Sequence, residues 1–215
     1  MNCHSKKNIL DVFKLLNEHD IKYILLRNTN DELPNNLPLK KDIDLLLKFS
    51  NRSVLKNIFK TNNAKQILHP ERFMHKLYGI YPFEKYITTT NILIDINYQV
   101  CTKSLTPNHI IPLDKEIQDN IWDNSTSKTI GSVTVPFPGP DEYFCILLTR
   151  QIFEKNSFDS WVINELEKTM LEINQSRVSS MLNKIFFRFT NKLMRLIKDG
   201  KYHGIKDEYL TFCEY

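Results

Sequence analysis

The sequence predicts an α/β (α+β) fold, in which a mixed sheet with helices is followed by a helical region at the C-terminal end. Near the start of the chain, helical and strand patterns follow one another in the order helix, strand, loop, strand, helix. Between residues 64 and 100 β-type runs dominate, and from Pro140 onward apolar residues recur at helical spacing. We therefore expect an α/β domain at residues 1–138 and a helical domain at residues 139–215.

The N-terminal elements follow from the spacing of apolar side chains. Residues 5–19 fit an amphipathic helix, because apolar residues recur every three or four positions and Ser5 can cap the first turn. A short strand at residues 21–27 precedes a polar loop that holds two prolines and four asparagines. The next strand ends near Phe49, and residues 53–60 are predicted to form a helix.

The later elements are marked by alternation and by helix-start residues. In "NILIDINYQV" the polar and apolar side chains alternate, which predicts a strand, and residues 128–137 are typical of a hairpin. Pro140, Asp141 and Glu142 form a helix-start pattern. Two further helices are predicted at residues 158–173 and 176–198.

Composition and charge narrow the functional classes. Hydrophobic residues make up 41% of the 215 residues and charged residues 25%, which is close to the globular average and excludes a disordered chain. The net charge of +4 permits an anionic partner such as a nucleotide. It falls short of the basic bias of a dedicated nucleic-acid binder.

The cysteines and the N-terminus bear on location. The four cysteines are scattered, without a CxxC pair or zinc-finger spacing, as expected of free thiols in a reducing compartment. The N-terminal apolar positions have helical spacing and lack the continuous apolar core of a signal peptide. We expect a cytoplasmic protein with no membrane partner.

Two aspartates stand at the head of an apolar strand in "KKDIDLLLKF". Asp42 and Asp44 share one face of that strand, so two like charges lie side by side, and a third aspartate, Asp95, is centred on a later strand. Without a cation between them, at least one of the paired carboxylates would be driven to keep its proton. Either these are solvated strand aspartates, or they form a site for Mg²⁺ (or Mn²⁺), whose preferred ligands are carboxylate and phosphate oxygens.

Three motifs carry a resemblance to a known superfamily. "YILLRN", then "DIDLLL", and "ILIDIN" about fifty residues later resemble the polymerase-β-like nucleotidyltransferases, and most closely the small bacterial members with an LRN...DID...D pattern. The resemblance covers residues 22–100 and, more loosely, "PGPDEYFCILLTRQIFEK". It implies a mixed-sheet nucleotidyltransferase fold. It also implies that Asp42 and Asp44 hold two ions, while Asp95 completes one metal site and helps to draw the acceptor proton, so that all three are catalytic and metal-binding.

One turn departs from the superfamily pattern. The Gly-Ser pair that cradles the triphosphate in that superfamily is absent, and Arg27, Asn28 and Thr29 occupy the corresponding turn. Arg27 is predicted to bind phosphate through its forked guanidinium, with Asn28 and Thr29 as hydrogen-bond donors. The alternative for Arg27 is a salt bridge to Asp42 or Asp44. His69 and His75 have no partner at metal-ligand spacing and are predicted to be surface histidines.

The resemblance implies a metal-dependent enzyme that moves a nucleoside monophosphate from a triphosphate such as ATP to a small acceptor, for example a sugar or a surface-polysaccharide precursor. Two alternatives stay open: a toxin-like nucleotidyltransferase that modifies tRNA or protein, and an inactive nucleotide-binding module. Basic residues on the last long predicted helix form a stripe that is either a solvated face or a surface for a polyanion. The stripe consists of Lys184, Arg188, Lys192, Arg195 and Lys198.

Overall fold

A five-stranded mixed sheet forms the centre of the N-terminal part of the chain. The structure is a computed structural model that describes residues 6–27, 32–71, 76–77 and 79–213. In spatial order the strands of this sheet are β1 (Tyr23–Leu25), β2 (Asp42–Leu47), β6 (Leu93–Asn97), β5 (Glu84–Ile87) and β3 (Lys65–Ile67). Strand β2 is antiparallel to β1 and parallel to β6. Strand β5 is antiparallel to both of its neighbours, β6 and β3.

Two smaller sheets complete the β structure. The predicted hairpin is confirmed as β9 (Thr126–Ile130) paired antiparallel with β10 (Val133–Phe137). A three-stranded sheet, which the sequence did not predict, has the order β4 (Lys76–Leu77), β8 (His109–Pro112), β7 (Cys101–Lys103). The predicted mixed α/β fold is therefore confirmed.

Helices precede, connect and follow the strands. The described residues include α1 (Lys6–Glu18), α2 (Arg52–Thr61), α3 (Lys115–Asp123), α4 (Pro140–Arg150), α5 (Ser160–Met170), α6 (Gln175–Phe186), α7 (Thr190–Lys198) and α8 (Ile205–Leu210). Helix α3 was not predicted, and its first turn is capped by Asp114, whose carboxylate accepts a hydrogen bond from the Glu116 N–H. A π-helical turn, Gln151–Lys155, continues α4.

The prediction of one continuous helix at residues 176–198 is wrong. Helix α6 ends at a 3₁₀ turn, Phe187–Phe189, where Phe187 has a positive φ of 51°. Phe186 and Phe189 are both buried, whereas Phe187 is 64% exposed. The positive φ of Phe187 is incompatible with a continuous helix and ends α6 there, while Phe186 and Phe189, three positions apart, both stay in the core.

The break also divides the predicted basic stripe. Lys184 on α6 pairs with Asp114 and Glu116, and Lys192 on α7 pairs with Glu208. These lysines are engaged in contacts within the chain, which favours the solvated-face interpretation over a track for a polyanion.

The two faces of the central sheet pack against different parts of the chain. Ile43, Leu45 and Leu47 of β2 belong to a core with α1, α2 and β10. Leu46 lies on the opposite face and belongs to a core with α3 and the C-terminal helices. Asp42 and Asp44 share the face of Leu46, so they lie on the side of the sheet that the C-terminal helices partly cover. The division into domains near residue 138 stays a prediction. In the part of the chain that the structure describes, no helix has both the length and the apolar character needed to cross a bilayer.

Candidate active site

The three predicted aspartates lie together at the edge of one cavity. Strands β2 and β6 run parallel in a register that sets Asp44 directly opposite Asp95 and Asp42 opposite Leu93. Side chains two residues apart share a face, so Asp42 and Asp44 point to the same side as Asp95. All three line a cavity of about 290 Å³. The β2–β6 pairing thus brings together carboxylates that are about fifty residues apart in sequence.

A lysine that the sequence reasoning missed lies between two of these carboxylates. Strand β5 pairs with β6 so that Lys85 is opposite Asp95. The Lys85 Nζ lies 2.6 Å from Asp42 Oδ2 and 3.1 Å from Asp95 Oδ1. Burial opposes the charge of Lys85, but the bond to Asp42 and the charge of Asp95 outweigh it and raise the pKa of the ammonium. The lysine is therefore held as a cation at the site.

The two bridged carboxyls differ in their proton affinity. Burial raises the pKa of Asp42, and the neighbouring charge of Asp95 adds to the rise despite the bond from Lys85. Burial alone would also raise the pKa of Asp95, but hydrogen bonding to His69 and the charge of Lys85 outweigh it and lower this pKa. Of these two carboxyls, Asp95 is therefore the one held more firmly in its ionised form.

His69 faces the carboxylates, so the prediction of a surface histidine is wrong at this position. Its side chain is buried against the Phe83 ring, with centroids 5.2 Å apart, and its Nε2 lies 3.7 Å from Asp95 Oδ2. The Nδ1 atom accepts a hydrogen bond from the Glu71 N–H, so in the neutral ring the proton resides on Nε2, toward Asp95. His75 lies outside the described residues.

Arg27 makes the salt bridge that the sequence offered as its alternative role. Its Nη1 donates to Asp44 Oδ1 at 3.4 Å, a long contact between partly exposed groups. The guanidinium also lines the cavity of the aspartates, so the salt bridge and a phosphate contact are compatible. Asn28 and Thr29, the other predicted nucleotide-binding residues, lie outside the described residues.

A second cavity, of about 520 Å³, adjoins the first and is rich in cations. Arg27 and Asp44 line both cavities, as does Arg150 at the end of α4. Burial and the charge of Arg27 lower the pKa of Arg150, although Glu154 lies 3.5 Å from its Nε. Two arginines that repel one another across a cavity form a site that an anion would stabilise.

Comparison with known proteins identifies the fold. No protein-family model matches the chain, and no curated protein matches it. The solution structure of the antibiotic-resistance factor ANT(2'')-Ia is similar at a TM-score of 0.50 and 11% identity, over 92% of this chain and 97% of that chain. The crystal structure of ANT(2'')-Ia with adenylyl-2''-tobramycin gives 0.52 at 11% identity, over 85% and 96%. This chain shares the fold of ANT(2'')-Ia.

A third solved structure is the lincosamide antibiotic adenylyltransferase LnuA in its lincomycin-bound form. Its TM-score is 0.46 at 8% identity, over 79% of this chain and 98% of that chain. At such identities the similarity concerns the fold. The chemistry of a site depends on its residues and not on the fold alone.

The carboxylates of Asp42, Asp44 and Asp95 offer the oxygen ligands that Mg²⁺ prefers. Asp95 Oδ1 is buried and lies 3.1 Å from the ammonium of Lys85. Within the described residues, no three His, Cys, Asp or Glu side chains are spaced to hold an ion as they stand. The carboxylates are suitable ligands for Mg²⁺, but the ammonium of Lys85 occupies the space between Asp42 and Asp95.

Proposed function

We propose that this protein is a metal-dependent nucleotidyltransferase that moves a nucleoside monophosphate from a triphosphate to a hydroxyl of a small acceptor. The observation that carries the proposal is the register of β2 and β6, which sets Asp44 opposite Asp95, with Asp42 on the same face, at a cavity of this fold. Three carboxylates on neighbouring positions of a half-buried sheet face repel one another and are costly to desolvate, which favours a cation-binding role over a purely structural one.

The three carboxylates hold the ions in this proposal. Asp42 and Asp44 bind Mg²⁺ or Mn²⁺, up to two ions, and Asp95 completes one of the metal sites. When bound, the ions lower the pKa of the attacking hydroxyl and balance the charge of the leaving pyrophosphate. Asp95 is the residue that receives the hydroxyl proton, because it lies at the cavity directly opposite Asp44 and its lowered pKa leaves its carboxylate unprotonated before the reaction.

The transfer needs only two reactants, the nucleoside triphosphate and the acceptor hydroxyl. The acceptor oxygen forms a bond to the α-phosphorus, the bond from that phosphorus to the bridging oxygen breaks, and pyrophosphate leaves with the electron pair. The proton of the hydroxyl passes to the Asp95 carboxylate. The product is the nucleotidylated acceptor.

Arg27 and Arg150 are the triphosphate ligands in this proposal. Both line both cavities, so phosphates at their junction would lie beside Asp44 and its ion. A planar guanidinium bridges phosphate oxygens through two donors, and the anion relieves the repulsion between the arginines. Trp161 and Tyr143 line the second cavity and offer aromatic faces for a nucleobase.

A small acceptor is favoured by the size of the cavities and by the ion pairs that Lys184 and Lys192 of the basic stripe form within the chain. Cavities of about 290 and 520 Å³ are in the range that holds small molecules. The antibiotic-resistance factor ANT(2'')-Ia was captured with adenylyl-2''-tobramycin, a nucleotidylated small molecule. By analogy, the acceptor here is a hydroxylated small molecule such as a sugar, a surface-polysaccharide precursor or an antibiotic.

The test is transfer of label from nucleotide to acceptor. The protein is incubated with each α-labelled nucleoside triphosphate and Mg²⁺, and with pools of sugars, nucleotide sugars and antibiotics, or with tRNA. The proposal predicts label on a small molecule, with pyrophosphate released, and none with Asp44→Asn. Label on tRNA or on protein would instead support the toxin-like alternative. Nucleotide binding without any transfer would support the inactive module.

A further inference from the structure

The position of Lys85 is set by the sheet. The antiparallel register between β5 and β6 sets Lys85 directly opposite Asp95, on the face of the carboxylates. Its side chain is only 13% exposed. The ammonium reaches both Asp42, at 2.6 Å, and Asp95, at 3.1 Å, which belong to two different strands. A single cationic group thus joins three adjacent strands at the site.

Contacts on the opposite face of strand β5 hold the strand, and therefore the backbone of Lys85, in place. The preceding residue, Glu84, points to the opposite face of the sheet and is buried. Its carboxylate accepts hydrogen bonds from Arg52, Tyr86 and Tyr98 and pairs with Lys56 at 3.1 Å. A network of this kind fixes the strand and therefore the origin of the Lys85 side chain.

We propose that the ammonium of Lys85 is a resident cation of the carboxylate site, occupying the position between Asp42 and Asp95 where a divalent ion would otherwise bind. An ammonium carries one charge and three donors, so it neutralises part of the carboxylate repulsion without metal. The site then takes one ion rather than two until Lys85 is displaced. This inference rests on the proposed function, because it assumes that the aspartates bind ions.

The ion pairs of Lys85 are with Asp42 and Asp95, whereas Asp44 pairs with Arg27 at 3.4 Å. In this account Lys85 is a positioning residue: it holds Asp42 and Asp95 and sets how many ions the site accepts.

The test counts bound ions with Mn²⁺ as the probe. The wild-type chain, Lys85→Met and Lys85→Gln are titrated with Mn²⁺ in the absence of nucleotide, and free Mn²⁺ is followed by electron paramagnetic resonance. Lys103→Met is the matched control, because Lys103 lines the same cavity but pairs with Glu71, at 3.9 Å, rather than with the aspartates. Thermal melting of each metal-free protein verifies folding, and Lys85→Gln keeps a hydrogen-bond donor if Lys85→Met folds poorly.

We expect both Lys85 variants to bind one more Mn²⁺ per chain than the wild type, and to bind Mn²⁺ about tenfold tighter, since a competing charge has been removed. Added Mn²⁺ should also raise their melting temperature more than that of the wild type. Lys103→Met should behave as the wild type does.

Two results would overturn the inference, and they differ in what they mean. Equal number and affinity of ions in the wild type and both Lys85 variants, with binding lost in Asp44→Asn, would overturn the role of Lys85 and leave the proposed function intact. Absence of Mn²⁺ binding in all of these proteins, with or without a nucleoside triphosphate, would overturn the inference and the proposed function together.

Discussion

Asp44 on β2 lies directly opposite Asp95 on β6, its parallel neighbour in the sheet. In parallel strands the side chains of opposed residues point to the same face, so the two carboxylates are neighbours although the chain between them includes α2, β3, β4 and β5. The register of β2 and β6 therefore brings Asp95 beside Asp44, whereas Asp42 and Asp44 are close because they are two residues apart in sequence. A shift of one residue between β2 and β6 would turn Asp95 to the opposite face of the sheet and separate it from the other two carboxylates.

The aspartates are expected to act as one unit. Asp42→Asn, Asp44→Asn and Asp95→Asn should each lower turnover by about a hundredfold or more, and combining two of them should add little. Initial rates of pyrophosphate release report the effect. Asp123→Asn, an exposed substitution, is the control and should be active. If the three variants instead lose activity in proportion to a fall in melting temperature, these aspartates are structural.

The two arginines are expected to bind phosphate rather than perform chemistry. Arg27→Lys keeps the charge but loses the planar fork, so KM for the nucleotide should rise, and Arg27→Ala and Arg150→Ala should raise it further, by about tenfold. The turnover number should change less than KM. Arg188→Ala, at an exposed arginine outside both cavities, is the control. An unchanged KM in all Arg27 and Arg150 variants would exclude these arginines as triphosphate ligands.

Glu84 is expected to stabilise the fold in a pH-dependent way. Burial alone would raise the pKa of Glu84, but hydrogen bonds from Arg52 and Tyr98 and the charge of Lys56 lower it below the ordinary value of 4.5. A lowered pKa in the folded state gives stability that is fully present above the unfolded pKa and is lost as the pH falls through the folded pKa. Acidification below pH 4.5 should therefore destabilise the wild type.

Replacement of Glu84 tests that linkage. Glu84→Gln should cost about 2 kcal/mol in the free energy of unfolding near neutral pH, because buried donors lose an ionised partner. Its stability should depend less on pH in the acidic range. Urea unfolding across pH measures both effects, with the exposed Glu172→Gln as the control. Equal acid sensitivity of wild type and Glu84→Gln would show that other groups govern acid unfolding.

The basic stripe is expected to be indifferent to substrates. Lys192 pairs with Glu208 at 2.6 Å, so Lys192→Glu replaces an attraction by a repulsion at a partly exposed contact and should lower the melting temperature slightly. Nucleotide affinity and its dependence on salt should stay as in the wild type. A clear loss of acceptor binding that is reduced by added salt would instead indicate a polyanionic acceptor such as tRNA.

The sequence predicts the part of the site that strand patterns encode. The three carboxylates, two in "DIDLLL" and one in "ILIDIN", have an unambiguous face, because alternation with buried isoleucine and leucine fixes which way each aspartate points. The hairpin of β9 and β10 and the start of α4 at Pro140 are equally local signals and are confirmed.

The parts that the sequence does not predict depend on contacts between distant elements. Lys85 pairs with Asp42 through the register of β5 on β6, and His69 reaches Asp95 from a segment with no regular pattern of its own. The break at Phe187 escapes prediction because apolar spacing continues across it, and the turn shows only in the backbone, through the positive φ of Phe187. In each case tertiary contacts override a local pattern.

Calorimetric titration with each nucleoside triphosphate, in the presence and absence of Mg²⁺, tests the central claim most directly. The account predicts that at least one triphosphate binds with Mg²⁺, that chelation of the ion weakens this binding at least about tenfold, and that Asp44→Asn abolishes the dependence on the ion. Failure of every triphosphate to bind, or binding that is indifferent both to Mg²⁺ and to Asp44→Asn, would contradict it.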